Sequence, residues 1–278
     1  MGLFERWRES RRRQRAGDSG RPARTTDRPP EPPLASGRRV RIVTYNVHGC
    51  VGVDGRRSAE RIAEAIAPFE PDVVALQELD VQRVRSERED QPALIAKVLR
   101  MEAHFAASFT VGDERYGNAI LSRFPLALRH HGGLPGRGPS EPRGALWAVV
   151  DIDGQPLHVL NTHLGLSRHE RLAQAMALLG NDWVGSHEFR APAVLCGDLN
   201  ALPRTGAYQA LARSLRDAQL ATGGRPGSTF PSRFPTFRID HIFVDATTRV
   251  ESTCVLATPL TRVASDHLPL MATLVLAP

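Results

Sequence analysis

Asp198 and Asn200 stand two residues apart, directly after the apolar run of residues 191–196. A short buried strand would deliver both side chains to its exposed end and on the same side. A carboxylate beside an amide suits a divalent cation, or a water molecule about to lose a proton. Acids and amides after a strand are also frequent turn formers, so this pair alone leaves both interpretations open.

The same pattern, an apolar strand-like run that ends in polar side chains, recurs elsewhere in the chain. The polar residues at these ends are Asn46 and His48, Glu78, Asn161 and His163, Asp240, and Asp266 with His267. Taken singly, each of them could belong to a turn, a cap or a solvated loop. So many strand-end acids, amides and histidines are explained more simply by one shared site.

The order of these residues resembles the endonuclease/exonuclease/phosphatase superfamily. That superfamily includes pancreatic-type deoxyribonuclease, abasic-site endonucleases, neutral sphingomyelinases and inositol-polyphosphate 5-phosphatases. The resemblance runs from about Arg39 to the C-terminus, and the strings at residues 116–122, 141–144 and 161–165 look closest to a bacterial branch of uncharacterised hydrolases. Its separated motifs, in the superfamily's order, are Asn46, Glu78, Asp198-x-Asn200, Asp240 and Asp266-His267.

The resemblance implies a metal-dependent phosphoesterase with three metal-binding residues. Glu78 is expected to be the principal ligand, with Asn46 beside it and Asp266 as a further acid in the metal region. The Glu78 carboxylate also follows a run that reads as a strand buried on both faces, so its charge needs a counter-ion. Because these candidates offer oxygen and no zinc-type set of cysteine and histidine is present, Mg²⁺ or Mn²⁺ is favoured over Zn²⁺.

The resemblance also implies which residues activate the attacking water, transfer the proton and bind the phosphate. Asp198 would orient or deprotonate the attacking water, and Asn200 would hold the scissile phosphate. His267 would pair with Asp240, because a carboxylate on one imidazole nitrogen fixes the tautomer and stabilises the charged ring. The pair could then bind phosphate oxygens or move a proton.

Three further residues are expected to contact the substrate. His163 resembles the second histidine of the deoxyribonuclease and sphingomyelinase branches, and it could protonate the leaving group or bind phosphate. The alternative for His163 is a histidine that is only hydrogen-bonded at a strand end. Asn118 and Arg143 are expected to contact the substrate phosphate. His48 stands where abasic-site endonucleases carry an acid, so its role stays open.

The charge distribution bears on the substrate. Residues 1–39 hold 11 arginines and 5 acids, which accounts for the whole net charge of +6 and leaves the remainder neutral. Tight nonspecific binding of duplex DNA needs a basic surface, so this distribution argues mildly against it. The favoured substrate is a phosphodiester, either nucleic acid or a phospholipid-type head group. The alternatives are a phosphomonoesterase acting on a small phosphorylated metabolite and a non-catalytic phosphate-binding member.

An aromatic loop, residues 222–237, precedes Asp240 in the sequence. Phe230, Phe234 and Phe237 could form an apolar rim for a lipid or a stacked base. They could equally be packing anchors for the loop itself.

We predict that the chain divides into a disordered basic tail rich in Pro and Arg, residues 1–37, and a phosphoesterase domain, residues 38–278. Leu3, Phe4 and Trp7 lie among arginines, so the tail could contact anionic membrane, or it could have no partner. Three widely spaced cysteines and the lack of a ~20-residue apolar stretch predict a cytoplasmic protein, with peripheral contact at the inner face of the membrane. The oligomeric state stays open.

The elements that must position these residues alternate between strand-like and helix-like runs. They predict an α/β protein in which two packed mixed β-sheets are flanked by helices, a four-layer α/β sandwich, and the resemblance implies the same fold. Asp153-Gly154 predicts a hairpin. Leu172, Met176 and Leu179 would form the buried stripe of the third helix. The predicted helices begin after Ser58 and after Asp90, and cover residues 168–181 and 205–215.

Overall fold

The computed structural model describes residues 37–136 and 140–277. The predicted tail lies almost wholly outside these residues, so its disorder and its membrane contact stay predictions. In the described part of the chain no helix is long and apolar enough to span a membrane.

Two six-stranded mixed sheets form the centre of the molecule. The strands are β1 (Arg38–Asn46), β2 (Val73–Val81), β3 (Glu102–Val111), β4 (Glu114–Ser122), β5 (Leu126–Gly133), β6 (Gly144–Ile152), β7 (Gln155–His163), β8 (Ala193–Asp198), β9 (Arg216–Asp217), β10 (Asp240–Val244), β11 (Arg249–Val255) and β12 (Leu270–Leu276). The first sheet has the order β11-β12-β1-β2-β4-β3, and the second has the order β5-β6-β7-β8-β10-β9.

Helices cover the outer face of each sheet. They are α1 (Ala59–Ile66), α2 (Gln91–Leu99), α3 (Arg168–Leu178), α4 (Gly206–Ser214), α5 (Ala218–Ala221) and α6 (Thr261–Ala264). One apolar cluster lies between the sheets, a second lies under α1 and α2, and a third lies under α3 and α4. The result is a four-layer α/β sandwich, which confirms the predicted fold.

Strand direction brings the polar strand ends to one edge of the sandwich. β1 runs parallel to β2, and β7 runs parallel to β8, so the carboxyl ends of each pair lie together. β10 runs antiparallel to β8 and pairs Asp240 with Asp198, so the acid that begins one strand faces the acid that ends its neighbour.

A buried polar bridge joins the two sheets below this edge. Gln77 of β2 donates from Nε2 to Asn161 Oδ1 of β7 at 2.7 Å. Asn161 in turn donates from Nδ2 to the carbonyl oxygens of Leu76 and Ala119, each at 2.8 Å. Because all these groups are buried, losing one partner would leave unpaired polar atoms in the interior, and the bridge therefore fixes the relative position of the sheets.

The capping residues and the hairpin are as predicted. Ser58 Oγ accepts from the Arg61 backbone nitrogen at 3.0 Å, and Asp90 Oδ1 accepts from the Ala93 nitrogen at 3.0 Å. β6 and β7 are joined by Asp153 and Gly154, whose φ angles of 54° and 91° favour Asp or Asn followed by Gly.

The predicted buried stripe of the third helix is wrong. Leu172 and Met176 are 41% and 56% exposed, whereas Gln174 and Ala175 are buried. The side chain of Gln174 accepts from the Gly165 nitrogen at 2.8 Å through Oε1 and donates from Nε2 to the Pro135 carbonyl at 2.9 Å. These two bonds turn a polar residue inward, which apolar periodicity cannot reveal.

Candidate active site

Asn46, at the end of β1, connects acids from both sheets. Its Nδ2 donates to Glu78 Oε1 at 2.8 Å and to Asp198 Oδ2 at 3.0 Å. Its Oδ1 accepts from the backbone nitrogen of His48 at 3.0 Å, which fixes the orientation of the amide. Asn46 therefore holds an acid of the first sheet beside an acid of the second.

The backbone at Glu78 is unusual for a strand. Its φ is +62°, and the pairing of β2 with β4 shifts register between Leu76 and Leu79. A bulge of this kind turns a side chain away from the strand's alternation, and a left-handed conformation is uncommon for a non-glycine residue. Such strained conformations cluster at functional sites. The bulge turns the Glu78 carboxylate toward Asn46.

Asp240 and Asp198 surround the His267 ring. His267 Nδ1 lies 2.8 Å from Asp240 Oδ2, and Nε2 lies 3.6 Å from Asp198 Oδ2. Burial alone would lower the pKa of His267, but Asp240 and Asp198 outweigh it and raise the pKa to about 10. Burial, with the nearby Asp240, raises the pKa of Asp198 to about 7 against the opposing effect of His267. At neutral pH His267 is therefore an imidazolium.

His163, at the end of β7, has the opposite protonation state. Burial, then Arg143 and His267, hold its pKa well below its usual range, so the ring is neutral. Arg143 Nη1 lies 2.9 Å from His163 Nδ1, and a guanidinium can only donate. His163 Nε2, the other ring nitrogen, lies 3.4 Å from Asp198 Oδ2.

The glycine of the string Gly197–Asn200 allows β7 and β8 to approach each other. Gly197 has φ of +144°, and a Cβ there would lie 1.8 Å from the Thr162 carbonyl oxygen. This close approach places Asp198 opposite His163 in the parallel register. The backbone N–H of Asn200 then donates to Asp198 Oδ1 at 2.8 Å, and the Nδ2 of Asn200 lies 3.1 Å from His163 Nε2.

Arg143 is buried and lies close to the predicted contact Asn118. Its Nη1 is 2.7 Å from Glu141 Oε1, in addition to the contact with His163. Asn118 Nδ2 donates to the carbonyl oxygen of Gly144 at 3.1 Å. The amide of Asn118 thus braces the backbone next to Arg143.

Asp266 joins this edge through its neighbour. Ser265 Oγ donates to the Asn46 carbonyl oxygen at 2.8 Å and lies 3.3 Å from Asp266 Oδ1. The partly exposed Asp266 carboxylate also lies 3.9 Å from His48 Nδ1. Of the three predicted metal ligands, Asn46 and Glu78 are in direct contact, and Asp266 is linked to Asn46 by Ser265.

The donors at this edge fit a hard divalent cation. Glu78 and Asp266 offer carboxylate oxygens, the ligands that Mg²⁺ and Mn²⁺ prefer, and the Asn46 amide oxygen, which accepts from the His48 nitrogen, keeps a second lone pair. A second group, Asp198, Asp240 and His267, has ligand atoms within 4.8 Å of one another. The buried Asp240 Oδ1 has no hydrogen-bond partner within residues 37–136 and 140–277, which leaves it available to a bound group.

Three residues that position the predicted ones were not assigned to the site from the sequence. Thr229 Oγ1 donates to Asp240 Oδ2, and the ring of Phe230 lies 4.8 Å from that of His267. Ser265 is the third, as described above. Ser265 directly precedes the Asp266-His267 pair, which was a usable signal, whereas only the fold brings Thr229 and Phe230 to the site.

The phenylalanines of the aromatic loop divide between the two alternatives, a packing anchor and an exposed apolar rim. Phe230 is partly buried against His267 and serves as a packing anchor. Phe234 and Phe237 are 79% and 48% exposed. Two aromatic rings of this loop are therefore available as an apolar surface.

Comparison with known proteins shows the family of this chain. Residues 43–267 match the model of the Endonuclease/Exonuclease/phosphatase family. The chain belongs to the endonuclease/exonuclease/phosphatase family. Members of this family are metal-dependent phosphoesterases, and the fold supports a phosphoesterase enzyme.

Individual relatives include proteins of known and unknown activity. The chain is 28% identical over 245 residues to the uncharacterised protein YbhP of Escherichia coli, a match that covers 84% of this chain and 94% of that protein. A mannosyl-6-phosphatase of Bacteroides thetaiotaomicron has a similar structure, with 20% identity, a TM-score of 0.70, and coverage of 85% and 100%. The human Nocturnin catalytic domain shares 22% identity and a TM-score of 0.65, with coverage of 87% and 94%.

Proposed function

We propose that this protein is a Mg²⁺- or Mn²⁺-dependent hydrolase that cleaves a phosphodiester by in-line attack of activated water. The substrate class is a nucleic acid or a phospholipid-type head group. The observation that carries the proposal is the placement of Asp198 between Asn46, a neutral His163 and a charged His267. One edge of the sandwich thus brings together a carboxylate, a neutral imidazole and a positively charged imidazolium.

Asp198 is the group proposed to accept the proton of the attacking water. Its raised pKa makes it a better base than an ordinary aspartate, while Asn46 and the Asn200 backbone hold its carboxylate in place. A cation bound by Glu78, Asn46 and Asp266 would neutralise phosphate charge and stabilise the leaving oxygen.

The two histidines are proposed to act on different oxygens. The imidazolium of His267, held by Asp240, would stabilise negative charge on the non-bridging phosphate oxygens. The neutral ring of His163 would hydrogen-bond to a phosphate or leaving-group oxygen. Arg143 orients His163, and Asn118 braces the strand beside Arg143. No covalent enzyme intermediate is part of this mechanism.

A phosphomonoesterase is the alternative within enzymes. The structurally similar mannosyl-6-phosphatase acts on a monoester, although 20% identity supports only a shared fold. A non-catalytic phosphate-binding role is the alternative outside enzymes, and the intact set of acids and histidines argues against it.

Hydrolysis of a substrate panel tests the proposal. The panel is plasmid DNA, an abasic duplex, sphingomyelin, phosphatidylglycerol, inositol phosphates and mannose 6-phosphate, each with Mg²⁺ and with Mn²⁺. Wild-type protein should cleave at least one phosphodiester, and Asp198→Asn should lower kcat on it by roughly 10²–10⁴. Glu64→Gln, a change at an exposed acid outside the site, is the control. Cleavage of monoesters alone would select the alternative, and no cleavage would overturn the enzyme proposal.

We include a cytoplasmic location in the proposal, with the basic tail in peripheral contact with anionic membrane. Its support is that Cys50, Cys196 and Cys254 form no disulfide. Compartments that keep thiols reduced are the usual place for such cysteines.

A further inference from the structure

A recess of about 250 Å³ lies beside Glu78, at the ends of β1 and β2. Its walls come from the two short 3₁₀ turns that follow these strands, His48–Cys50 and Val84–Ser86. The volume is below the ~300–1,000 Å³ of sites that enclose a whole ligand, so the recess fits one chemical group. The charged and polar residues that line it are His48, Arg57, Glu78, Arg85, Tyr116 and Glu141.

Arg85 is held rigidly at this recess. Its Nε and Nη2 donate to the two oxygens of the fully buried Asp80 at 2.8 and 2.7 Å, and its guanidinium lies 5.4 Å from the centre of the Tyr116 ring. Two of the five guanidinium N–H donors are thereby used. The remaining donors form no hydrogen bond within the described part of the chain, and they can serve a ligand.

Arg57 supplies a second cation. Its Nη1 donates to the Arg85 carbonyl oxygen, and it forms no ion pair with any described residue. Asp80 pairs with Arg85 and lies 3.7 Å from Arg83, which is also 3.5 Å from Glu114. Glu141, the acid on the other wall, is held by Arg143 at 2.7 Å. On the wall formed by Arg57 and Arg85, the Arg57 guanidinium therefore has no ion-pair partner among the described residues, and Arg85 keeps free N–H donors.

The backbone of this wall is braced before any ligand arrives. The fully buried Gln91 donates from Nε2 to the Gly49 carbonyl at 2.9 Å and accepts from the Asp80 nitrogen at 2.9 Å. The Gln91 amide thus ties the turn after β1 to the end of β2. A site that is ordered in advance loses less entropy when it binds.

We propose that the Arg57–Arg85 recess binds a second phosphate group of the substrate, next to the phosphate that is cleaved at Glu78 and Asp198. The inference rests on the proposed function and narrows its substrate class to molecules that carry two neighbouring phosphates. Two forked guanidinium groups match the several oxygens of a phosphate, and the Glu78 wall sets the second phosphate close to the scissile one.

Matched substrates that differ by one phosphate test the inference. The first pair is a thymidine dinucleotide with and without a terminal phosphate, tested at the 5′ and at the 3′ end. The second pair is glycerophosphoinositol with and without a phosphate on the ring. Wild-type kcat/KM should favour the phosphate-bearing member of at least one pair by about 10-fold, and the pair that responds identifies a nucleotide or a head-group source.

Arg57→Gln should remove most of that preference. Arg57 is exposed and its contact is with a backbone oxygen, so the variant should fold. Arg56→Gln changes the neighbouring exposed arginine, which does not line the recess, and should keep the wild-type preference. Equal kcat/KM within both pairs, or a preference that survives in Arg57→Gln, would overturn the inference.

Direct binding separates this inference from the proposed function. Thymidine 3′,5′-bisphosphate should bind wild-type protein about 10-fold tighter than thymidine 5′-monophosphate in calorimetry, and Arg57→Gln should lose the difference. If no diester in either pair is cleaved with Mg²⁺ or Mn²⁺, the proposed function fails for these substrates. The calorimetry still tests whether the recess binds a second phosphate. Equal affinity for the two nucleotides would overturn it.

Discussion

The two histidines of the site differ in charge, His267 being positive and His163 neutral, because their surroundings differ. His267 faces the carboxylates of Asp240 and Asp198, whereas His163 faces the guanidinium of Arg143. Burial lowers the pKa of both rings, and Arg143 lowers that of His163 further, whereas the two carboxylates outweigh burial at His267. A phosphate bound between them would meet a cation on one side and a neutral imidazole on the other.

Glu78 is the residue whose replacement tests the metal site most directly. Glu78→Gln keeps an oxygen that can accept from Asn46 Nδ2, so the bulge and the fold should survive. The variant loses the negative charge that a hard cation requires. We expect calorimetry with Mn²⁺ to show at least a 10-fold loss of affinity, together with nearly complete loss of turnover.

Glu64→Gln, on the exposed surface, should bind Mn²⁺ as the wild type does. Wild-type Mn²⁺ affinity in Glu78→Gln would remove Glu78 from the metal site.

At the scale of elements, polar contacts behind the site determine where β10 begins. Asp217 of β9 accepts from Tyr208 Oη of α4 at 2.7 Å and pairs with Arg238, two residues before Asp240. His241 Nδ1, one residue after Asp240, lies 3.7 Å from the same carboxylate. This buried group fixes the chain on both sides of Asp240, and so holds Asp240 against His267.

Asp217 should make the stability of the protein fall as the pH becomes acidic. Burial would raise its pKa, but the nearby His241, the charge of Arg238 and the Tyr208 hydroxyl outweigh burial and lower it to about 2. A carboxyl whose pKa is lower in the folded state contributes stability above its unfolded value of ~3.9, and loses it as pH falls toward the folded pKa. The contribution is about 2 kcal/mol at neutral pH and should disappear between about pH 4 and pH 2.

Asp217→Asn should therefore unfold at lower urea concentration than wild type at pH 7, and the gap should narrow at pH 3. Asp182→Asn, at an exposed position, should match wild type at both values. A gap of the same size at both pH values would mean that the Asp217 charge does not stabilise the fold.

Periodicity and local signals predicted the elements well, and they failed where a side chain's environment comes from distant parts of the chain. Caps such as Ser58 and Asp90 are local, so the sequence reveals them. Gln174 points inward because it hydrogen-bonds to the Gly165 backbone nitrogen and the Pro135 carbonyl oxygen. Helical periodicity cannot reveal these contacts. The bulge at Glu78 is hidden in the same way, because it is defined by the register with β4.

At the scale of the whole molecule, one edge of a two-sheet sandwich collects groups from distant parts of the sequence. Asn46 and Asp266 are separated by 220 positions, yet Ser265 links them by one hydrogen bond. The order of the polar strand ends could be predicted because each lies at one end of a strand-like apolar run. Their distances could not, because they depend on the Gln77–Asn161 bridge and on the close approach at Gly197.

The net charge of the protein is unevenly distributed along the chain. The first 39 residues carry the full net charge of +6, and the remainder is neutral. We expect deletion of residues 1–37 to leave folding and kcat on a small soluble phosphodiester unchanged, because β1 begins its pairing with β12 at Arg38. The same deletion should weaken co-sedimentation with vesicles that contain anionic phosphatidylglycerol.

The salt dependence of that binding distinguishes electrostatic attraction from other contacts. Each arginine near an anionic surface contributes roughly 1 kcal/mol, so even a few engaged arginines would be measurable. Raising the salt concentration shortens the range of the attraction, so the difference between full-length and truncated protein should shrink. Equal co-sedimentation at low salt would exclude a role of the tail at membranes. A large fall in kcat after deletion would show instead that the tail acts at the active site.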